Sequence, residues 1–212
     1  MVKEKWQRAL PILLMVVFAA TRWPGLWPES WSNFSAAYAL AFCAGVYFSS
    51  RLAWWVPLLT LFVSDVIINI FYYRVWGRDI EEWIYMLPNY LGYALLIGLG
   101  RLHSPNNSWL RLLSGGLLGA ILFYLITNTS AWIQNPEYPK TFAGWFQALT
   151  TGIPGLPPTW TFFRNTLLSG GLFTGLFVGA MKLSAPAEEP AEEAEEEPIE
   201  EPVEPKTQTD AR

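Results

Sequence analysis

Long apolar blocks, separated by short polar stretches, occupy most of the first 183 residues. A bilayer core needs about 20 mostly apolar residues per crossing helix, or fewer where flanking Arg and Lys side chains reach the interface. The pattern therefore predicts an all-α membrane protein, a polytopic bundle of about six transmembrane helices. The predicted spans cover approximately residues 9–21, 34–48, 53–73, 83–102, 112–133 and 163–181.

Two regions need separate interpretation: the first span, and the connection between the fifth and sixth spans. The first span is short, so a cleaved signal peptide is the alternative to the retained helix that we favour. Between the fifth and sixth spans, Phe142, Trp145, Phe146 and Leu149 share one face at helical spacing. This predicts an amphipathic interfacial helix near residues 140–150.

All 12 Trp residues fall at or near a predicted span end, as expected of side chains that prefer the headgroup level.

Charge divides the chain into two parts. Hydrophobic residues make up 52% of the sequence and charged residues 15%. Residues 1–183 carry 12 basic and 7 acidic groups, a net charge of +5, and form the predicted transmembrane domain. Residues 184–212 carry 11 acidic and 2 basic groups, a net charge of −9, with many Pro residues. This composition predicts a disordered tail, either simply solvated or a docking segment for a basic partner.

The distribution of Lys and Arg between the predicted loops sets the orientation. With the N-terminus inside, seven basic residues of the body lie on the inner side and five on the outer side. This bias predicts a multi-pass protein of the cell inner (plasma) membrane with both termini in the cytoplasm.

Polar residues within the spans are costly in lipid, so their positions suggest function. Because successive spans alternate in direction, these residues gather at one end of the bundle, which predicts a pocket for a small molecule. The predicted substrate-binding residues are Asn33, Asp65, Asn69, Tyr90, Asn128, Trp132, Arg164 and Asn165. Asp65 needs a cation or hydrogen-bond donors to remain ionised, and we expect it to pair with Arg164 or Arg22. The loop helix around Trp145 is the predicted lid.

Small residues recur every four positions at Ala37, Ala41 and Gly45 in the second span, and Gly repeats occur in the fifth and sixth. Such ridges allow helix backbones to approach closely. The ridge either packs inside the bundle or forms an exposed face for a partner membrane subunit.

Several other functions are disfavoured. The single Cys43 lies in an apolar run, and the single His103 has no second His or Cys near it, so no metal site or cofactor is predicted. No motif indicates nucleic-acid binding. Asp65 is the only carboxylate within a span, which argues against an intramembrane enzyme, since general acid–base catalysis usually needs a pair of titratable groups.

Several short motifs occur in order along residues 20–180. They are Arg22-Trp23-Pro24-Gly25-Leu26, Asn33-Phe34-Ser35-Ala36-Ala37, Leu125-Ile126-Thr127-Asn128, and Phe162-Phe163-Arg164-Asn165-Thr166-Leu167. In these motifs the chain resembles a family of uncharacterised small bacterial integral membrane proteins. That family in turn resembles the substrate-capture (S) components of energy-coupling factor transporters, which are six-helix bundles of about this size.

The resemblance to S components has functional implications. Those proteins bind a vitamin or similar solute near the outer surface, have no ATPase of their own, and dock onto a transmembrane coupling subunit through small-residue motifs. By this resemblance, Ala37, Ala41 and Gly45 are the expected partner-docking residues. We therefore expect a solute-binding membrane subunit; the alternative is a scaffold or assembly subunit with no small-molecule ligand.

Overall fold

The computed structural model describes residues 13–23, 25–77 and 83–184 of the protein. Within these residues all regular structure is helical, which confirms the all-α prediction. The helices are α1 (13–21), α2 (Ala37–Tyr47), α3 (Ser50–Trp76), α4 (Trp83–Arg101), α5 (Trp109–Gln134), α6 (Phe142–Leu149) and α7 (Thr159–Ser184), with a 3₁₀ turn at Glu29–Trp31. The predicted tail, beyond residue 184, lies outside the described residues, as do residues 1–12.

Three helices, Ser50–Trp76, Trp109–Gln134 and Thr159–Leu183, are long and apolar enough to cross a bilayer. Their outward faces carry large exposed apolar side chains such as Leu59 and Leu118, which suit a lipid environment. The chain is thus a multi-pass membrane protein. The other three predicted crossings coincide with α1, α2 and α4, and their passage through the membrane stays a prediction.

Helix α2 lies in the middle of the bundle, against α3, α4, α5 and α7. Ten of its 11 residues are buried, because its sequence carries no charged side chain and is rich in Ala. A helix that is apolar all round has no face suited to water. At about 1.5 Å per residue, α2 is roughly 16 Å long, about half the thickness of a bilayer core. It is therefore shorter than the predicted span 34–48.

Local sequence explains several helix ends. Gly77 follows α3 with a φ of 61°, the left-handed conformation that commonly ends a helix. Ser108 precedes α5 and its side chain accepts a hydrogen bond from the Arg111 backbone N–H. Thr141 does the same for α6 through the Gly144 N–H. The predicted loop helix therefore forms, and Phe142 and Phe146 on its predicted apolar face are exposed.

The small-residue ridge of α2 packs inside the protein. Ala37 and Ala41 are fully buried, and Gly45 is also buried. A Cβ atom added to Gly45 would lie only 2.2 Å from the Ile97 carbonyl oxygen of α4. The ridge is thus buried and packs closely between α2 and α4, while its role in docking a partner subunit stays a prediction.

Candidate functional site

A cavity of about 910 Å³ lies at one end of the bundle. Its wall is formed by the end of α1, the segment that leads to α2, the start of α2, the second half of α3, the first half of α4 and the second half of α5. These halves alternate along the chain, as expected where successive helices run in opposite directions. The lining residues are Thr21, Arg22, Trp23, Gly25, Trp27, Glu29, Ser32, Asn33, Phe34, Ser35, Tyr38, Asp65, Ile68, Asn69, Tyr72, Trp76, Met86, Asn89, Tyr93, Phe123, Thr127 and Asn128.

A buried ion pair joins α1 to α3 at the cavity wall. The Arg22 guanidinium donates to Asp65 Oδ1, and Tyr90 Oη donates to Asp65 Oδ2 at 2.9 Å. Arg22 also donates to Ser64 Oγ and, at 3.3 Å, to the Leu61 carbonyl oxygen. The Asp65 residue is only 5% exposed. Of the two partners predicted for Asp65, the structure therefore places Arg22 beside it, and the hydrogen bonds satisfy both carboxylate oxygens.

Four of the predicted substrate-binding residues line the cavity: Asn33, Asp65, Asn69 and Asn128. The Asn69 side chain donates to the Asp65 carbonyl oxygen at 3.0 Å, and that of Asn128 donates to the Tyr124 carbonyl oxygen at 2.9 Å. Tyr90 is not part of the wall but bonds directly to Asp65. The sequence thus located one polar wall of the cavity and the residue that supports it.

The other three predicted site residues lie away from this wall. Trp132 donates its indole N–H to the Pro139 carbonyl oxygen at 2.8 Å. Arg164 is exposed, donates to Asn165 Oδ1 at 3.1 Å and lies over the Trp160 ring. Asn165 is fully buried. Their contacts are within the protein, so in this structure they do not face the cavity.

Asn165 fixes the segment that precedes α2. Its side-chain amide donates to the carbonyl oxygens of Ser30 and Ser32, both at 2.9 Å. Arg22, which precedes this segment, fixes its other end through its contacts with α3. Two residues of the segment have left-handed backbone conformations, Gly25 with φ 80° and Asn33 with φ 67°. Residues 25–35 therefore form one wall of the cavity, anchored on both sides.

Apart from Asn33, the residues of the wall formed by residues 25–35 were not predicted. The predicted lid is the helix around Trp145, but no residue of α6 lines the cavity. The Trp145 indole N–H donates instead to Thr129 Oγ1 at 2.9 Å. Trp27 and Phe34 were also missed; their rings are in edge contact, with centroids 4.9 Å apart. The Trp residues of this segment fitted an interfacial role equally well, so the sequence carried no separate signal.

An aromatic cluster lies where α2, α4 and α5 meet beneath the polar wall. The rings of Tyr38 and Tyr93 are parallel with centroids 6.1 Å apart, and Phe123 lies 4.8 Å and 4.9 Å from them. All three residues are buried and line the cavity. They give it an apolar aromatic base.

A second cavity of about 430 Å³ adjoins the first between α4 and α5. Asn89 and Thr127 line both cavities. Its remaining lining residues are Pro88, Ser130, Ala131, Gln134, Asn135 and Pro136. Within the described residues, no three His, Cys, Asp or Glu side chains lie close enough together to hold a metal ion.

The comparisons with known proteins identify a family. A family model described as a family of unknown function, DUF6580, matches residues 3–192. The chain belongs to this family. No curated protein and no solved structure matches it. The predicted membership of a family of unknown function with membrane helices is thereby confirmed, while the further likeness of this DUF6580 member to S components stays a prediction.

The anchoring of residues 30–32 by Asn165 leads to a testable prediction. Asn165→Ala removes the donor to the Ser32 carbonyl oxygen and one of the two donors to the Ser30 carbonyl oxygen, which Arg164 still contacts at 3.1 Å. We expect a loss of about 1–3 kcal/mol of unfolding free energy. Amide hydrogen exchange of the 25–35 segment should become faster, while exchange in α5 stays unchanged. Asn106→Ala, at an exposed position in the loop between α4 and α5, is the control and should change neither. Unaltered exchange at residues 25–35 in Asn165→Ala would show that the anchor lies elsewhere.

Proposed function

We propose that this protein is a solute-binding membrane subunit, similar to an S component, that captures a small molecule from the outer side of the inner membrane. The proposal includes six crossings, no ATPase and no covalent chemistry on the solute. The observation that carries it is the cavity of about 910 Å³ at one end of the bundle.

The size and chemistry of this cavity suit a ligand. Small-molecule sites are concave, have volumes of about 300–1,000 Å³, and combine apolar and aromatic walls with a few convergent polar groups. Here aromatic rings from α2, α4 and α5 form the base, and amide side chains such as Asn89 and Asn128 lie around it. A scaffold subunit with no ligand would not need such a cavity, because polar groups in a membrane helix are costly.

The orientation follows from the basic residues. Seven Lys and Arg residues lie on the proposed inner side and five on the outer side, so both termini are placed in the cytoplasm. The cavity then opens at the outer end of the bundle, where residues 25–35 form its wall. A solute arriving from outside reaches it without crossing the apolar part of the bundle.

The proposal does not depend on the small-residue ridge of α2, because that ridge is buried. A transmembrane coupling subunit, which the likeness to S components implies, would have to dock on another face. The amphipathic α6, with Phe142 and Phe146 exposed, is proposed to lie in the outer interface beside the cavity.

The direct test is native mass spectrometry of the full chain, purified in mild detergent from its own membrane. We expect one retained small molecule per protein. Thr127→Trp should abolish this retention, because the larger side chain projects into the space that Thr127 lines between the two cavities. Leu118→Trp, on the exposed face of the same helix, is the matched control and should retain the molecule.

Two results would contradict capture. Either no small molecule remains bound to the wild-type chain, or the bound molecule survives Thr127→Trp unchanged. Co-purification of a membrane partner with a chain that holds no solute would instead favour the scaffold alternative.

A further inference from the structure

The charges around the large cavity indicate which class of solute it accepts. Among the described residues, three charged side chains line it: Arg22, Asp65 and Glu29. Arg22 and Asp65 neutralise each other. Arg22 also donates hydrogen bonds to Ser64 Oγ and to the Leu61 carbonyl oxygen. Glu29 is exposed. This part of the wall therefore offers an anionic solute no uncommitted cation.

Uncommitted hydrogen-bonding groups are present instead. Within the described residues, the side-chain amides of Asn33 and Asn89 make no hydrogen bond, and the Asn128 side-chain oxygen accepts none. These three amides come from the segment before α2, from α4 and from α5. Asn33 is exposed, and Asn89 and Asn128 are half-buried. Because an amide side chain carries both donors and acceptors, a solute that offers both can form hydrogen bonds with these groups.

Aromatic side chains make up eight of the 22 lining residues. Tyr38, Tyr93 and Phe123 form the base, and Trp27 and Phe34 belong to the wall of residues 25–35. Trp23 is 43% exposed and so retains ring surface for packing. Aromatic rings pack best on other planar rings, and their faces attract cations and disfavour anions.

From these observations we propose that the cavity binds a planar ring-bearing solute that carries amide-like donors and acceptors on its edge and has no net negative charge. This inference rests on the proposed function, because it assigns the chemical class of the captured solute. Because the charges of Arg22 and Asp65 cancel, neither side chain attracts a charged solute. We call this selection against charged solutes the charge filter.

Three probes that share one ring test the charge requirement: indole-3-acetamide, which is uncharged, tryptamine, a cation, and indole-3-acetate, an anion. Thermal unfolding of the purified full chain in detergent is followed by circular dichroism. A probe at ten times its Kd stabilises by about 1.4 kcal/mol, which corresponds to a rise of about 3–5 °C in Tm. We expect this rise with indole-3-acetamide and none with indole-3-acetate.

Two variants reverse the filter. Asp65→Asn keeps the shape but leaves Arg22 without its counter-ion, so indole-3-acetate should gain affinity by at least about fivefold, the lower end of a Coulomb interaction across a few ångströms. Arg22→Gln leaves Asp65 unpaired and should favour tryptamine by a similar factor. The second variant keeps the test valid should the first fail to fold.

The outcomes separate this inference from the proposed function. Indole-3-acetate binding to the wild-type chain as tightly as indole-3-acetamide would overturn the charge filter and leave capture intact. No Tm rise with any of the three probes, in a chain that mass spectrometry shows to retain its own solute and from which that solute has then been removed by dialysis, would overturn the ring assignment. No binding of any probe and no retained solute would contradict capture itself.

Discussion

Asp65→Ala is expected to lower the free energy of unfolding by about 3–5 kcal/mol. The substitution leaves the Arg22 guanidinium without its counter-ion at a position where its side chain is only 18% exposed. It also removes the acceptor of the Tyr90 hydroxyl. For a chain of this length the loss corresponds to a fall in Tm on the order of 10 °C, measurable by circular dichroism in detergent.

The matched control is Glu29→Ala, which removes an exposed carboxylate from the same cavity wall and should change stability by less than about 0.5 kcal/mol. Arg22→Met combined with Asp65→Leu tests the cause. Since removing both charges together leaves neither unpaired, this double variant should recover most of the stability lost in Asp65→Ala. An Asp65→Ala chain as stable as the wild type would show that the pair contributes nothing to folding.

The ion pair shows how far sequence reasoning reaches. Asp65 is a carboxylate inside an apolar block, so a cationic partner could be expected. The alternation of helix direction restricted that partner to the same end of the bundle, which left Arg22 and Arg164. The choice between them depends on α1 lying against α3, and no residue pattern encodes which helices are neighbours.

The wall of residues 25–35 could not be placed from the sequence. Pro24, Gly25 and Pro28 mark this stretch as a turn-rich connection. Its position is set by Asn165, which lies more than 130 residues further along the chain and bonds backbone carbonyl oxygens. Because every residue has a carbonyl group, an acceptor of this kind leaves no trace in the sequence. Asn165 is a predicted substrate-binding residue, but in the structure its side-chain amide donates to the protein's own backbone.

Helix α2 shows the same limit for packing. The periodic small residues correctly indicated close helix contact, yet the same pattern suits an internal contact and an exposed docking face. Burial decides between them, and burial depends on the surrounding helices. The predicted span 34–48 is longer than α2 because the apolar run begins before Ala37 and continues past Tyr47 into Phe48, where the backbone is already extended.

Gly100→Ala is expected to destabilise the protein by about 3 kcal/mol, near the upper end for overpacking. The new Cβ atom would lie 2.1 Å from the Phe42 carbonyl oxygen and 2.9 Å from the Gly45 Cα atom. Both belong to the backbone of α2, which cannot move alone because it is packed on all sides. The fall in Tm should exceed about 5 °C in detergent.

Gly98→Ala is the matched control, two residues earlier on the same helix. Its Cβ atom would meet only the Trp54 ring, at an ordinary 3.9 Å, and alanine favours the helix by up to about 1 kcal/mol. We therefore expect Gly98→Ala to be neutral or slightly stabilising. Equal Tm values for the two variants would mean that α2 and α4 are further apart than the structure shows. In that case the ridge around Gly45 would be free to meet a partner subunit, so the same pair of variants tests whether that ridge packs or docks.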